Sequence, residues 1–161
     1  MLWVKVFLLF LAVPGIADAL IPWLILTHGK ALVFPPFGVM QSIGLFLILV
    51  GLAIVVWVCQ EFVRFGHGTP APYDTPRQFV HRGLYRWVRN PMYLGAGLLI
   101  PLGEALYFSS WWLVIYAAIV VGMLHLYIIF REEPELERRF GRPYLKYKRN
   151  VSRWIPRPPK N

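Results

Sequence analysis

Long apolar runs separated by short basic segments frame this 161-residue chain. The clearest run covers residues 37–59 and carries no charge. Crossing a hydrocarbon core takes about 20 helical residues, so this run predicts a membrane-spanning helix. An earlier run, 6–26, is interrupted by Pro14, Asp18 and Pro22. A signal peptide competes there, because Lys5 precedes a short apolar core and Ala17-Asp18-Ala19 has the small-x-small cleavage pattern. The run resumes as far as Leu26, which favours a retained span. Pro35-Pro36 separates the two. A further apolar stretch begins at Met92, is broken by Glu104 and continues to Phe130. It fits two helices, 92–108 and 111–130, joined at Ser109-Ser110, or one long span preceded by a half-helix.

Charge decides between these. Lysine and arginine favour the cytoplasmic side of a membrane. Arginines stand at 64, 77, 82, 86 and 89, and ten basic residues lie in 131–160. Four spans put both segments and Lys5 on one side, sixteen of the seventeen basic residues, with Lys30 alone on the other. Three spans would divide the basic segments. The expectation is an all-α, polytopic, multi-pass membrane protein. It has about four transmembrane helices (6–26, 37–59, 92–108, 111–130), both termini cytoplasmic, and a cytoplasmic C-terminal helix. A bacterial plasma membrane is the expected location.

Composition agrees. The chain is 57% hydrophobic with a mean hydropathy of +0.51. Soluble domains run at about 45–50% apolar. The net charge of +9 is explained by topology, so nucleic acid is not expected as a partner. Cys59 is the only cysteine, which excludes a disulfide framework and a cysteine metal site.

The basic segments read as cytoplasmic parts of a single domain, 64–91 and 131–156. Gly66, Gly68, Pro70, Pro72 and Pro76 make the start of the first irregular. From Gln78 to Arg89, apolar and basic residues alternate in the manner of an interfacial helix. In the second, Pro134 disfavours the α conformation at Glu133 and suits a first helical position. A bend at Glu132-Glu133 and a new helix over Pro134–Phe140 follow.

Candidate chemistry is sparse. The chain lacks a Ser/His/Asp signature, a His-x-x-x-His pair, paired cysteines and a dinucleotide-type Gly-x-Gly-x-x-Gly, and no metal site is expected. His125 lies inside the fourth span, where an ionisable group is a candidate site, though a hydrogen-bonded packing role suits it equally. Two clusters are more informative: Arg89-Asn90-Pro91-Met92-Tyr93-Leu94-Gly95-Ala96-Gly97 and Arg131-Glu132-Glu133. Each sits where an apolar run meets a basic segment, and the topology puts them on one side of the bilayer. Pro91 starts a helix without losing a hydrogen bond. Gly95 and Gly97 strip its surface, either for close helix packing or for close approach of a ligand.

Over 66–156 the chain resembles the isoprenylcysteine carboxyl methyltransferase and phospholipid N-methyltransferase superfamily. The residues that carry this are Gly83-Leu84-Tyr85-Arg86-x-x-Arg89-Asn90-Pro91-x-Tyr93-x-Gly95, Glu132-Glu133-x-x-Leu136-x-x-x-Phe140-Gly141-x-x-Tyr144-x-x-Tyr147 and Trp154-Ile155-Pro156. The resemblance implies methyl transfer from S-adenosylmethionine to a lipophilic small-molecule or lipidated acceptor in the bilayer, as in the isoprenylcysteine carboxyl O-methyltransferases. It assigns cofactor binding to Arg89, Asn90, Pro91, Tyr93, Gly95, Gly97, Glu132 and Glu133, with Arg89 and Glu132 also catalytic. The family histidine of Arg-His-Pro is Asn90 here; asparagine hydrogen-bonds but does not titrate, which argues against a general base at that position.

The cofactor's chemistry suits these residues. An arginine clamps a carboxylate, a glutamate accepts from an ammonium or a diol, and an aromatic face lies against a sulfonium. Rival readings are a phospholipid-type N-methyltransferase, a sterol-reductase-like NADPH enzyme and a non-catalytic membrane scaffold. Nothing in the sequence sets the oligomeric state.

Overall fold

The computed structural model describes residues 15–28, 31–62, 64 and 82–158. These form five helices and, among the described residues, no strand. They are α1 (Ile16–Thr27), α2 (Val39–Glu61), α3 (Tyr93–Tyr107), α4 (Trp111–Phe140) and α5 (Arg142–Asn150). The expected crossing at 6–26 begins outside the described residues.

Helices α2 and α4 are long and apolar enough to cross a membrane; α1 and α3 are apolar but shorter. Only 28% of the apolar window of α2 and 17% of that of α4 are buried. The core helix of a soluble protein would be mostly covered, so these faces are built for a lipid environment. Phe46, Leu49, Leu52 and Val56 of α2, and Trp112, Ile119, Met123 and Phe130 of α4, point outward. At 1.5 Å per residue the apolar stretch 111–130 spans about 30 Å, one hydrocarbon thickness. Arg131 follows directly on that stretch, at its end.

Glycine holds the centre together. A Cβ on Gly44 would sit 2.6 Å from the Gly103 carbonyl oxygen, and one on Gly51 would sit 2.9 Å from that of Gly95. The antiparallel α2 and α3 thus meet backbone to backbone at two levels. Helix α3 packs in turn on α4, and α1 leans on α4, where the Tyr116 hydroxyl donates to the Ala17 carbonyl at 2.6 Å. At the far end, buried Gln41 donates to the Tyr107 carbonyl at 3.1 Å. The turn between α3 and α4 uses Ser109 at φ 49°, and the Ser110 hydroxyl caps α4 by accepting from the Leu113 amide.

One expectation is met in part and another corrected. The helix expected over Pro134–Phe140 is present as Glu133–Phe140, but it does not start afresh: α4 runs into it, widening into π-type hydrogen bonding over Ile128–Glu132 before resuming as α helix at Glu133. A wide turn relieves the clash between the Pro134 ring and the carbonyl one turn earlier, so the proline is absorbed without a break. Nor does an interfacial helix form over 82–89; residues 78–81 lie outside the described residues. Only a short 3₁₀ turn, Gly83–Arg86, is present. Gly83 sits at φ +53°, and the Arg89 amide donates to the Ser152 carbonyl at 2.8 Å rather than to a helical partner. The C-terminal segment has captured this stretch.

Candidate functional site

Pro91 is fully buried at the start of the helical turn that leads into α3, and fixes where the preceding Arg89-Asn90 leave the bundle. The end of α4 past the apolar stretch presents Glu132 and Glu133. Segment 151–157 then runs back past 87–90. The Arg157 amide donates to the Trp87 carbonyl at 2.9 Å and Asn90 Nδ2 to the Arg153 carbonyl at 3.3 Å. The Trp154 indole donates to His125 Nδ1 at 3.0 Å, which gives that intramembrane histidine a bracing partner.

The adjacent glutamates occupy different environments. Glu133 is 4% exposed and surrounded by cations. Arg89 Nη1 lies 2.9 Å from its Oε1, Arg153 Nε 2.7 Å from the same oxygen, and Arg153 Nη2 and Lys148 Nζ each 3.0 Å from Oε2. Lys148 also pairs with Glu137. Burial alone would raise the Glu133 pKa, but the hydrogen bonds from Arg153 and Lys148 and the charge of Arg89 outweigh it and hold the carboxyl below its ordinary value.

Glu132 faces the other way. Its carboxyl is raised, chiefly by burial, then by the charges of Glu133 and Glu135, with a hydrogen bond from the Tyr93 hydroxyl opposing. Its Oε2 is buried with no partner. Tyr85 lies within electrostatic reach of both Glu132 and Tyr147, and the Tyr147 hydroxyl donates to the Tyr85 carbonyl at 2.7 Å. Burial and the Glu132 charge push the Tyr85 phenol up, so it keeps its proton and stays a donor. On the far side of Tyr147 the Arg89 charge is felt, and Arg89 Nε is buried without a partner. Glu132 and Arg89 thus each keep one buried atom without a partner, with Tyr85 within electrostatic reach of the first and Tyr147 of the second.

Of the residues singled out from sequence, Tyr93 and Glu132 meet directly, as do Arg89 and Glu133. Asn90 braces the C-terminal segment. Gly95 and Gly97 are both buried. The Cβ direction of Gly95 runs into the Gly51 carbonyl oxygen at 2.8 Å, and that of Gly97 into the Leu124 side chain. On that side both glycines meet helix-packing neighbours. Sequence reasoning assigned no site role to Tyr85, Lys148 or Arg153, and read Tyr147 only as part of a headgroup-level aromatic surface with Tyr144, Trp154 and Ile155. The two tyrosines stand inside the quoted motif, which was the available signal; no pattern marked the lysine or the arginine.

Helices α2 and α4, long, apolar and largely uncovered, fit a membrane protein. Residues 39–143, well over half the chain, match the model of the phospholipid methyltransferase family. The chain belongs to that family and is, by class, a membrane methyltransferase, in line with the resemblance read from its motifs. Neither the curated proteins nor the solved structures include a match.

Proposed function

We propose that this protein transfers a methyl group from S-adenosylmethionine to a lipophilic acceptor that reaches the site from the bilayer, in the manner of the isoprenylcysteine carboxyl O-methyltransferases. The observation that carries this is that two of the five buried, partnerless side-chain atoms among the described residues, Arg89 Nε and Glu132 Oε2, belong to the two motif clusters, the others being on Thr27, Glu61 and Glu104. A buried polar atom without a partner costs about 1–3 kcal/mol, so a ligand that supplies both partners is favoured. The amino-acid end of S-adenosylmethionine is a zwitterion and fits such a pair. Arg89 holds the carboxylate; Glu132 accepts from the ammonium; Tyr93 offers its ring beside Glu132. When bound, the cofactor supplies an electrophilic methyl on a sulfonium. The protein's part is to fix the ligand and keep water out, and positioning accounts for much of the rate of such a displacement.

Glu132 also favours a second reading. A carboxylate raised by burial accepts a proton more readily than an ordinary one, which suits an amine acceptor that must be neutral before attack. Phospholipid-type N-methylation is that alternative.

Calorimetry of the purified protein with S-adenosylhomocysteine tests the proposal. Binding is expected; NADPH binding in its place would point to a reductase, and neither to a scaffold. Methyl transfer from labelled cofactor to a membrane-lipid extract separates the acceptors. A methyl ester is released by alkali and an N-methyl group is not, and an alkali-labile product is expected.

The orientation proposed has both termini and both basic segments in the cytoplasm, supported by the sixteen-to-one split of basic residues. A thiol introduced as Ser110→Cys is expected to react from outside and one introduced as Ser152→Cys from inside. Labelling of both from the same side would overturn it.

A further inference from the structure

The family match ends at residue 143, yet the cluster around Glu133 draws two of its three cations from beyond that point, Lys148 and Arg153. A carboxylate accepts at about four lone-pair positions. Glu133 receives one contact from Arg89, two from Arg153 and one from Lys148, and is full. It has no capacity for a ligand. Its neighbour Glu132 has an open oxygen. The two glutamates therefore divide the work, one toward a ligand and one toward the protein.

Glu133 acts on Arg89. An arginine has five donors in a rigid plane, so fixing one of them fixes the direction of the rest. Arg89 Nη1 is held at 2.9 Å by a carboxylate that the Arg153 fork itself holds from two sides, at 2.7 and 3.0 Å. The same segment fixes the Arg89 main chain, through the bond from its amide to the Ser152 carbonyl at 2.8 Å. The Arg89 main chain is thus set by Ser152 and its guanidinium by Glu133, which Arg153 holds, and by a hydrogen bond with Tyr144, while Nε is left without a partner.

We infer that Glu133 and Arg153 are positioning residues that aim the Arg89 guanidinium at the cofactor's carboxylate, so that the C-terminal segment completes the cofactor site without touching the cofactor. This rests on the reading of Arg89 as the carboxylate clamp, and it withdraws Glu133 from the set of direct contacts that the resemblance implies.

The test uses two ligands that share the adenosine and the sulfur. S-adenosylhomocysteine carries the amino-acid carboxylate; 5′-methylthioadenosine does not. In the full-length Arg153→Gln variant, affinity for S-adenosylhomocysteine is expected to fall about tenfold, the scale of coupling between residues in one ion-pair network. Affinity for methylthioadenosine should stay level. Arg153→Lys keeps the charge but loses the fork and should fall between. Lys148→Gln removes the pair with Glu137 and, on Glu133, a contact to Oε2 rather than to the oxygen Arg89 uses, and should have the smaller effect. A merely structural role for Arg153 would weaken both ligands together, and that result would overturn the inference. So would unchanged S-adenosylhomocysteine affinity in Arg153→Gln, or a larger loss in Lys148→Gln, which also serves if Arg153→Gln does not fold. Wild-type protein that binds neither ligand would overturn the methyl-transfer reading along with it, so the two failures are distinguishable.

Discussion

Glu132→Gln is expected to weaken S-adenosylhomocysteine binding by roughly ten- to a hundredfold, the effect of losing one charge-assisted hydrogen bond of about 1.5–3 kcal/mol. The glutamine side chain is close in shape and still accepts from Tyr93, so the loss isolates the charge. Stability should move the other way. The Glu132 carboxyl is raised in the folded protein, first by burial. The folded state therefore holds its proton more tightly than the unfolded chain does. Its contribution to stability is complete below the unfolded carboxylate pKa of about 4.3 and is lost as pH rises through the raised folded value. At neutral pH glutamine removes that penalty. The variant should match or exceed the wild type in thermal stability, with the gap widening from acid to neutral pH. A group that costs stability and gains binding is what a ligand contact looks like. Calorimetry and thermal unfolding in the same detergent read both quantities. Unchanged affinity in folded protein would leave Glu132 as a buried carboxylate with no ligand.

How far the sequence carried depends on which physical signal governs each element. The charge-free run at 37–59 leaves few ways to fold, and α2 forms over Val39–Glu61. The Pro134 signal was real, and an α-helical stretch does start beside it at Glu133, though joined to the helix before it rather than separate. Proline forbids a hydrogen bond at one point, and a chain has two ways to comply: stop the helix or widen it. Packing of Ile128, which is fully buried, keeps the helix going and selects the second. The interfacial helix failed for a related reason. Alternation at 78–89 describes a surface, but the backbone of Arg89 has a partner at Ser152, more than sixty residues away, and local periodicity is blind to it. The glycines divide similarly. Gly95-Ala96-Gly97 drew attention as a short motif. Its partner for packing is Gly51, and only the pairing of α2 with α3 reveals that Gly44 and Gly51 face Gly103 and Gly95. The candidate site shows the same division. Arg89, Tyr93, Glu132 and Glu133 were legible because unusual polar residues sit at the edges of apolar runs. Arg153 and Lys148 were not, because a basic residue in a basic tail is also what topology requires, and nothing local separates an anchor from a partner.

Removing Glu133 tests that hidden part most severely. Glu133→Ala is expected to be the most destabilising single change in the polar cluster. Taking one member from a buried ion pair costs about 3–5 kcal/mol, since the remaining charges are left without compensation. The lower end applies here. Arg89 is only 10% exposed and stays buried, whereas Lys148 and Arg153, at 33% and 26%, regain water. A loss of about 3 kcal/mol is a large share of the 5–15 kcal/mol typical of a folded domain. The pH dependence has the opposite sign to that of Glu132. Burial opposes ionisation at Glu133, but Arg153, Lys148 and Arg89 together hold its carboxyl below the ordinary value. Its stabilising contribution is therefore present above the unfolded pKa of about 4.3 and is lost as pH falls through the lower folded value. The wild-type advantage over Glu133→Ala should be full at neutral pH and shrink in acid. Thermal unfolding of both proteins in detergent across that range measures it. A Glu133→Ala protein as stable as the wild type at neutral pH would mean that the three cations need no anion between them. The assignment of Glu133 to holding Arg89 in place would fall with that result.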